Sequence, residues 1–189
     1  MCSSDLRVLA GALKGQRLVT PKGRTTRPTA DQVRIACLDT LRPYLERGPF
    51  LDLFAGAGGV GIEALSRGAP SAVFVERDRH AAIALDENIT RLGLGDRARV
   101  VRQDVERALG VLGREGRSFA VVFLDPPYDS PDGPSALVAV ATGDALLPGA
   151  IVVAQHATKA PLPAMPGRLE HWKDRRFGET TLTFFRRGA

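Results

Sequence analysis

Cysteine is nearly missing from this chain of 189 residues. Cys2 and Cys37 are the only two, too few for a disulfide framework and without metal-ligand spacing. Both read as reduced thiols of a soluble cytoplasmic protein. No apolar run approaches the ~18–20 residues that cross a bilayer, so no membrane partner is expected. A secretory signal is also not visible, because the N-terminus lacks a charged stretch followed by an apolar one. His80, His156 and His171 are scattered without spaced partners, and no metal is expected. Acidic residues are missing from one region above all. Between Arg7 and Asp31 there is no Asp or Glu.

What is present describes a folded chain. Hydrophobic residues make up 44% and charged residues 25%, values of a globular protein with a substantial core. The net charge is +5 and the sequence pI about 9.8, which favours polyanionic partners. The positive charge is grouped. Arg7, Lys14, Arg17, Lys22, Arg24 and Arg27 crowd the head, while Arg168, Lys173, Arg175, Arg176, Arg186 and Arg187 crowd the tail. Two basic groups flanking a catalytic unit point to nucleic acid. Arg7, Lys14, Arg17, Arg27 and Arg176 are the candidate contacts. Residues 1–5 carry no usable pattern.

The middle of the chain alternates apolar strands with helical stretches. Strands are expected at Phe50–Phe54, Ser71–Glu76, Ala98–Arg102, Phe119–Leu124 and Ala150–Ala154. Helices are expected at Ile62–Arg67, His80–Leu94, Val105–Leu112 and Ser135–Leu147, the last one stopping before Pro148-Gly149. In the His80–Leu94 helix the apolar residues, Ile83 among them, read as a core-facing stripe. This alternation means a mostly parallel sheet covered on both faces, an α/β Rossmann-like fold. Leu169–Phe177 and Thr180–Phe185 meet at Gly178 as an antiparallel C-terminal hairpin. At the head, Arg7–Ala10 and Gln16–Val19 form a small β-hairpin. Thr29 then caps a helix running to about Glu46. The boundary falls at Gly48-Pro49, dividing an extension, residues 1–48, from a catalytic domain, residues 49–189.

Gly56-Ala57-Gly58-Gly59-Val60-Gly61 fits G-x-G-x-x-G between a strand and a helix, and Glu76 closes the next strand about twenty residues on. Glycine lets the backbone turn and a ligand approach closely. The loop implies an adenosine-like ligand and leaves open a dinucleotide or S-adenosylmethionine. Asp52, just before Phe54, helps to separate them. A carboxylate there repels a pyrophosphate but favours the ammonium and sulfonium of S-adenosylmethionine. It could equally be a structural carboxylate holding loop amides. Asp104 is placed either to accept the adenine amino group or to cap the helix from Val105. The cofactor candidates are therefore Asp52, Phe54, Gly56, Gly58, Glu76 and Asp104.

Asp125-Pro126-Pro127-Tyr128 follows the fourth strand directly. Two prolines fix φ and remove amide donors, leaving a rigid turn at the strand end where open α/β sheets bind ligands. An exocyclic amine is a poor nucleophile because its lone pair is delocalised into the ring. The Asp125 carboxylate and Pro126 carbonyl could each accept one of its N–H groups and aim the lone pair at a methyl donor. Tyr128 could stack on the base. The catalytic candidates are Asp125, Pro126, Pro127 and Tyr128, working by positioning and electrostatics.

Several stretches resemble the bacterial 16S ribosomal RNA guanine-N2 methyltransferase family. They are Arg7–Gly11 with Lys14-Gly15, Thr26–Thr29 with Asp31 and Val33-Arg34, Leu51–Gly56, Glu63–Ala69, Phe123–Tyr128, and the closing Arg176–Thr180. The resemblance implies a seven-stranded class I methyltransferase fold using S-adenosylmethionine. It places Asp125 and Tyr128 at a target guanine, the loop and Glu76 at the cofactor, and the head with Arg27 on RNA or cofactor. The implied partner is 16S rRNA or an assembling small ribosomal subunit, bound by a monomer. Gln32, Ile35 and Gln155 depart from the pattern, where an arginine, a glutamate and an acidic residue are usual.

Rival readings use the same turn for adenine-N6 or cytosine-N4 in nucleic acid, or for a protein glutamine. A dinucleotide-dependent oxidoreductase and an RNA-binding module with a decayed site are more distant. The absence of an obvious target-recognition domain tells against a sequence-specific DNA enzyme, and the intact tetrapeptide against decay.

Overall fold

Phe119 to Leu124 contains only apolar residues and all six are buried, as a central parallel strand requires. Around it the chain builds a seven-stranded sheet. The computed structural model describes residues 6–21, 31–127, 130–160, 162 and 167–188. In chain order the elements are α1 (Asp31–Leu45), β1 (Phe50–Leu53), α2 (Gly59–Ser66), β2 (Ala72–Val75), α3 (Arg79–Arg91) and β3 (Ala98–Val101). They continue with α4 (Val105–Arg114), β4 (Phe119–Leu124), α5 (Asp132–Thr142), β5 (Leu146–Ala157), β6 (Leu169–Phe177) and β7 (Thr180–Arg187). The strand order is β3-β2-β1-β4-β5-β7-β6. Strands β1 to β5 are parallel, and β7 is antiparallel to both β5 and β6. The mostly parallel sheet with a C-terminal antiparallel hairpin is the architecture expected.

Alternation along the strands divides the core between the two faces. Phe50, Phe74, Val121, Phe123, Val153 and Phe184 point to one face, where Leu38 and Leu41 of α1, Ile62 of α2 and Leu85 of α3 cover them. Leu51, Val73, Val75, Val122, Leu124 and Val152 point to the other, under Ala108 and Leu112 of α4 and Leu137 and Val140 of α5. Each fully buried Leu or Phe contributes about 1.5–3 kcal/mol relative to exposure. Val8, Leu18 and α1 share the first core with Phe50 and Ile62, so the head is packed onto the sheet's own helices.

Three local expectations are corrected. The helix expected over Ser135–Leu147 runs from Asp132 to Thr142, and β5 starts at Leu146 instead of Ala150. Leu146 pairs with Phe119, and the register shift between Phe119 and Val121 absorbs Pro148-Gly149 within the strand. Pro-Gly therefore marks an irregularity in a strand and not the end of a helix. Ile83 is 54% exposed and does not belong to the core stripe of α3. The head is less regular than two paired strands. A single antiparallel bridge joins Arg7 to Arg17, backed by main-chain bonds between Val8 and Gln16, Gly15 and Val8, and Leu18 and Leu6. Thr29, the expected cap of α1, lies outside the described residues.

Candidate active site

The sheet register decides which residues meet. Leu53 at the end of β1 lies beside Val75 of β2 and Leu124 of β4. The next residues, Phe54, Glu76 and Asp125, therefore leave the sheet at one level on three adjacent strands. Carboxyl ends of strands in open α/β sheets are where ligands bind.

Phe54 turns the chain out of β1 with φ 66, the one positive φ of a non-glycine among the described residues. Such a conformation costs on the order of 1–3 kcal/mol. Neighbouring bonds hold it, since Ala55 N–H donates to the Val75 carbonyl and Gly58 N–H to that of Ala55. Gly56 follows with φ 57, and nothing lies within 4 Å of where its Cβ would stand. Open space over a left-handed residue is a cradle that a ligand can approach. Gly58, at φ 89, precedes α2, and a Cβ there would fall 2.5 Å from Leu85 Cδ1. Gly61 has a packing role, because a Cβ would lie 2.3 Å from Phe74 Cε1.

Glu76 ties two loops together. Its Oε2 accepts Gly56 N–H at 2.8 Å and its Oε1 accepts Asp78 N–H at 2.7 Å. Each oxygen retains a lone pair for a hydroxyl donor, so the carboxylate suits a ribose diol. Asp52 is 1% exposed, and its Oδ2 accepts Gly61 N–H at 2.9 Å. Burial pushes its carboxyl up to about 8, against the Gly61 hydrogen bond and with help from the Asp125 and Glu76 charges. The bond to Gly61 is the structural role that the sequence left open. It is compatible with the second role, since three carboxylates acting on one another favour a cation among them. This donor set fits S-adenosylmethionine, which is cationic at ammonium and sulfonium and carries a ribose diol.

Asp104 serves as the helix cap, its Oδ1 accepting Arg107 N–H at 3.0 Å. Asp125 follows β4 half-buried. Pro126 packs under the first turn of α5, where a Cβ on Gly133 would come within 2.6 Å of Pro126 Cγ. The Pro127 carbonyl accepts Ser130 N–H at 3.3 Å, which closes the turn. Tyr128 lies outside the described residues.

Among the basic candidates, the bridge brings Arg7 and Arg17 together, both exposed. Lys14 is exposed near the Ser66 end of α2, away from the glycine loop. Arg176 is exposed on β6 opposite Thr181. Arg27 lies outside the described residues.

Four residues that sequence reasoning gave no such role secure the site. Glu63, fully buried on α2, accepts Leu9 N–H at 2.7 Å, Ala10 N–H at 2.8 Å and Arg67 Nε at 3.0 Å. Ser66 accepts Leu13 N–H and donates to the Ala10 carbonyl. Arg34, 1% exposed, donates to the Arg7 carbonyl at 2.7 Å and lies 4.0 Å from Glu63 Oε2, and burial lowers its pKa. Asn88 on α3 bonds the main chain of Val19 in both senses and also donates to the Ala57 carbonyl. A signal for Asn88 existed, since a polar residue three after Leu85 and seven after Ala81 falls on the apolar stripe. Gln155 is 7% exposed, and its Oε1 has no hydrogen-bond partner. Among the described residues, no cluster of His, Cys, Asp and Glu could hold a metal, and no helix is long and apolar enough to cross a membrane.

Known proteins resemble this chain over nearly its whole length. The family model described as Conserved hypothetical protein 95 matches residues 6–186. A Bacillus subtilis (strain 168) protein named "Putative rRNA methyltransferase YlbH" is 36% identical over 182 residues, 96% of this chain and 99% of that one. "Ribosomal RNA small subunit methyltransferase D" of Escherichia coli (strain K12) is 29% identical over 187 residues, 99% of this chain and 92% of that one. A solved structure titled "Putative methyltransferase yhhF" from Escherichia coli superposes with a TM-score of 0.84 at 30% identity, covering 97% of this chain and 98% of that one. With the glycine loop, the carboxylate after β2 and the turn after β4 in one register, the chain belongs to the Conserved hypothetical protein 95 family of methyltransferases.

Proposed function

We propose that the protein transfers a methyl group from S-adenosylmethionine to the exocyclic N2 amine of a guanine in 16S rRNA, acting as a monomer on the RNA or on an assembling small subunit. The observation that carries this reading is the alignment of Asp125 with the Glu76-braced Gly56 loop across β1, β2 and β4. The names of the Bacillus subtilis and Escherichia coli relatives support rRNA as the substrate class.

Bound in this loop, the cofactor supplies a methyl group already activated by a sulfonium. Glu76 would hold the ribose hydroxyls, the open Gly56 backbone would face the adenosine, and Asp52, ionised once a cation is bound, would contribute negative charge. Asp125 and the Pro126 carbonyl accept the two N–H groups of the amine, which localises its lone pair. Such fixed acceptors act because they need no reorganisation during reaction. Tyr128 stacks on the guanine. Asp125 then accepts or passes on the proton that the methylated amine sheds. Residues 1–48 serve as an extension of the 49–189 domain, with Arg7, Lys14, Arg17, Arg27 and Arg176 contacting RNA.

Mapping methylated positions in 16S rRNA from cells with and without the gene tests the assignment. A single N2-methylguanine that disappears with the gene and returns with the wild-type chain, but not with Asp125→Ala, is the expected result. A missing N6-methyladenine or N4-methylcytosine would replace guanine by one of the rival bases.

A further inference from the structure

The α1-side edge of the sheet carries a second cationic surface that the methyl-transfer site does not use. Tyr44 of α1, Trp172 of β6 and Phe184 of β7 form a line of edge-on rings, with centroids 5.9 Å and 6.1 Å apart. Three cations border this line and a fourth, Arg175, continues it along α1. Arg47 sits 4.6 Å over Tyr44, and Lys173 lies 4.2 Å over Trp172 and 5.5 Å from Phe184. Arg186 lies 4.8 Å from Trp172 and donates to Tyr44 Oη at 3.0 Å. Arg175 donates to the Ala36 carbonyl and to Thr40 Oγ1, both at 3.2 Å.

A β-bulge builds this surface. His171 pairs with Phe185 but Lys173 with Phe184, so β6 carries one extra residue at Trp172. A bulge re-aims side chains, and here it turns consecutive Trp172 and Lys173 to the α1 face, while His171 packs on Phe185 of the other face.

The pairing differs from that of three other surface arginines. Arg99 takes Glu115, Arg102 takes Asp86 and Arg77 takes Asp132. Among the described residues no ion pair joins Arg47, Lys173, Arg175 or Arg186 to a carboxylate, although Glu170 lies opposite Arg186 in the register. Rings and neutral oxygens hold these cations in place without neutralising them. A pre-positioned cation loses little side-chain entropy when it meets an anion. Arg175 marks the way to the methyl-transfer edge, since it pairs with Leu182, which pairs with Gln155, the residue after the β4-aligned Ala154.

We propose that the Tyr44–Trp172–Phe184 line with its four cations is a docking track for the RNA phosphate backbone, remote from the base being methylated. The track extends the proposed rRNA function and rests on it for the identity of the polyanion. It holds a flank of the RNA on the α1 side while the turn at Asp125 receives the base. Each cation that meets a phosphate releases a counterion and steepens the salt dependence of binding.

The test compares the full chain with an Arg47→Gln/Lys173→Gln double variant and an Arg114→Gln control on the far end of α4. Fluorescence anisotropy with a folded 16S rRNA fragment is read at several salt concentrations, and melting temperatures confirm intact folds. The double variant is expected to bind about tenfold more weakly, with a log–log salt slope smaller by about 2. Arg114→Gln is expected to match the wild type. Trp172 is the only tryptophan, so RNA should also change its emission, excited at the red edge to avoid nucleotide absorption. Unchanged affinity and slope, or Trp172 emission insensitive to saturating RNA, would overturn the track. So would a double variant that loses binding to phosphatidylglycerol vesicles but not to RNA, which would assign the surface to a membrane. These readouts need no turnover. Failure of the wild type to methylate guanine would count against the proposed reaction and leave the binding result readable.

Discussion

Asn88 donates a side-chain N–H to the carbonyl of Ala57 at 3.0 Å, so a residue near the end of α3 holds the start of the glycine loop. The same amide accepts Val19 N–H at 2.7 Å and donates to the Val19 carbonyl at 2.9 Å. One side chain thus joins the basic head to the loop expected to carry the cofactor. Asn88→Ala leaves three main-chain polar groups without this partner and is expected to cost about 2–4 kcal/mol in stability. Chemical denaturation measures that loss. Calorimetry with S-adenosylhomocysteine should show affinity falling as well. Unchanged cofactor affinity in a folded Asn88→Ala chain would show that the loop holds its shape without this bond.

Asp52 gives a pH dependence with a definite sign. Its carboxyl rises from the ordinary 3.8 to about 8 through burial, opposed by the Gly61 bond and assisted by the Asp125 and Glu76 charges. Between these values the folded chain keeps a proton that the unfolded chain has lost. This group's contribution to stability therefore falls as pH rises from about 4 to 8 and levels off above. Asp52→Asn should remove that slope in denaturation curves taken across the range.

Binding of a cationic cofactor should expel the same proton near pH 7, because positive charge favours the carboxylate. Calorimetry of S-adenosylmethionine in two buffers of different ionisation enthalpy would reveal the release. It should shrink in Asp52→Asn. Equal proton counts in both chains would remove Asp52 from the electrostatics of binding.

Replacing Asp125 by Ala removes the carboxylate proposed to accept an N–H of the reacting amine. We expect kcat to drop by about 10²–10³, the scale seen when one preorganised transition-state partner is lost. S-adenosylhomocysteine should bind with affinity within about threefold of wild type, as judged against the usual modest effect of a partly exposed charge. Full turnover by this variant would refute the mechanism.

Glu63→Gln tests the anchor of the head. It removes the charge facing buried Arg34 and Arg67 and weakens the grip on Leu9 and Ala10. Breaking such a buried arrangement costs about 3–5 kcal/mol. Limited proteolysis should then cut within residues 6–19, where Val8 and Leu18 are now buried. A resistant, equally stable variant would mean that apolar packing alone holds the segment.

Strand positions were legible because buried parallel strands such as Phe119–Leu124 are apolar without interruption. The Asp125 turn was legible as a turn because two successive prolines fix φ and remove amide donors directly after β4. Less was visible where tertiary pairing overrode local preference. Pro148-Gly149 looks like a helix terminator, yet pairing of Leu146 with Phe119 draws the segment into β5. Asp104 offered two roles at one spacing, and only the bond from Arg107 N–H displays its capping role. Glu63 and Asn88 reach partners 53 to 69 residues away, a distance at which spacing rules say nothing. Tyr128, Arg27 and Thr29 fall outside the described residues, so their roles rest on sequence.

The position of β7 has a consequence for synthesis. It is made after β6 yet lies between β5 and β6, with β5 pairing from Ile151 to Ala157 along it. While the chain is still emerging from the ribosome, β5 is an open edge and β6 has nowhere to dock. Translation must pass Arg187 before either is satisfied. Nascent chains stalled short of β7 should therefore stay protease-sensitive at β5 and prone to pairing with other exposed strands.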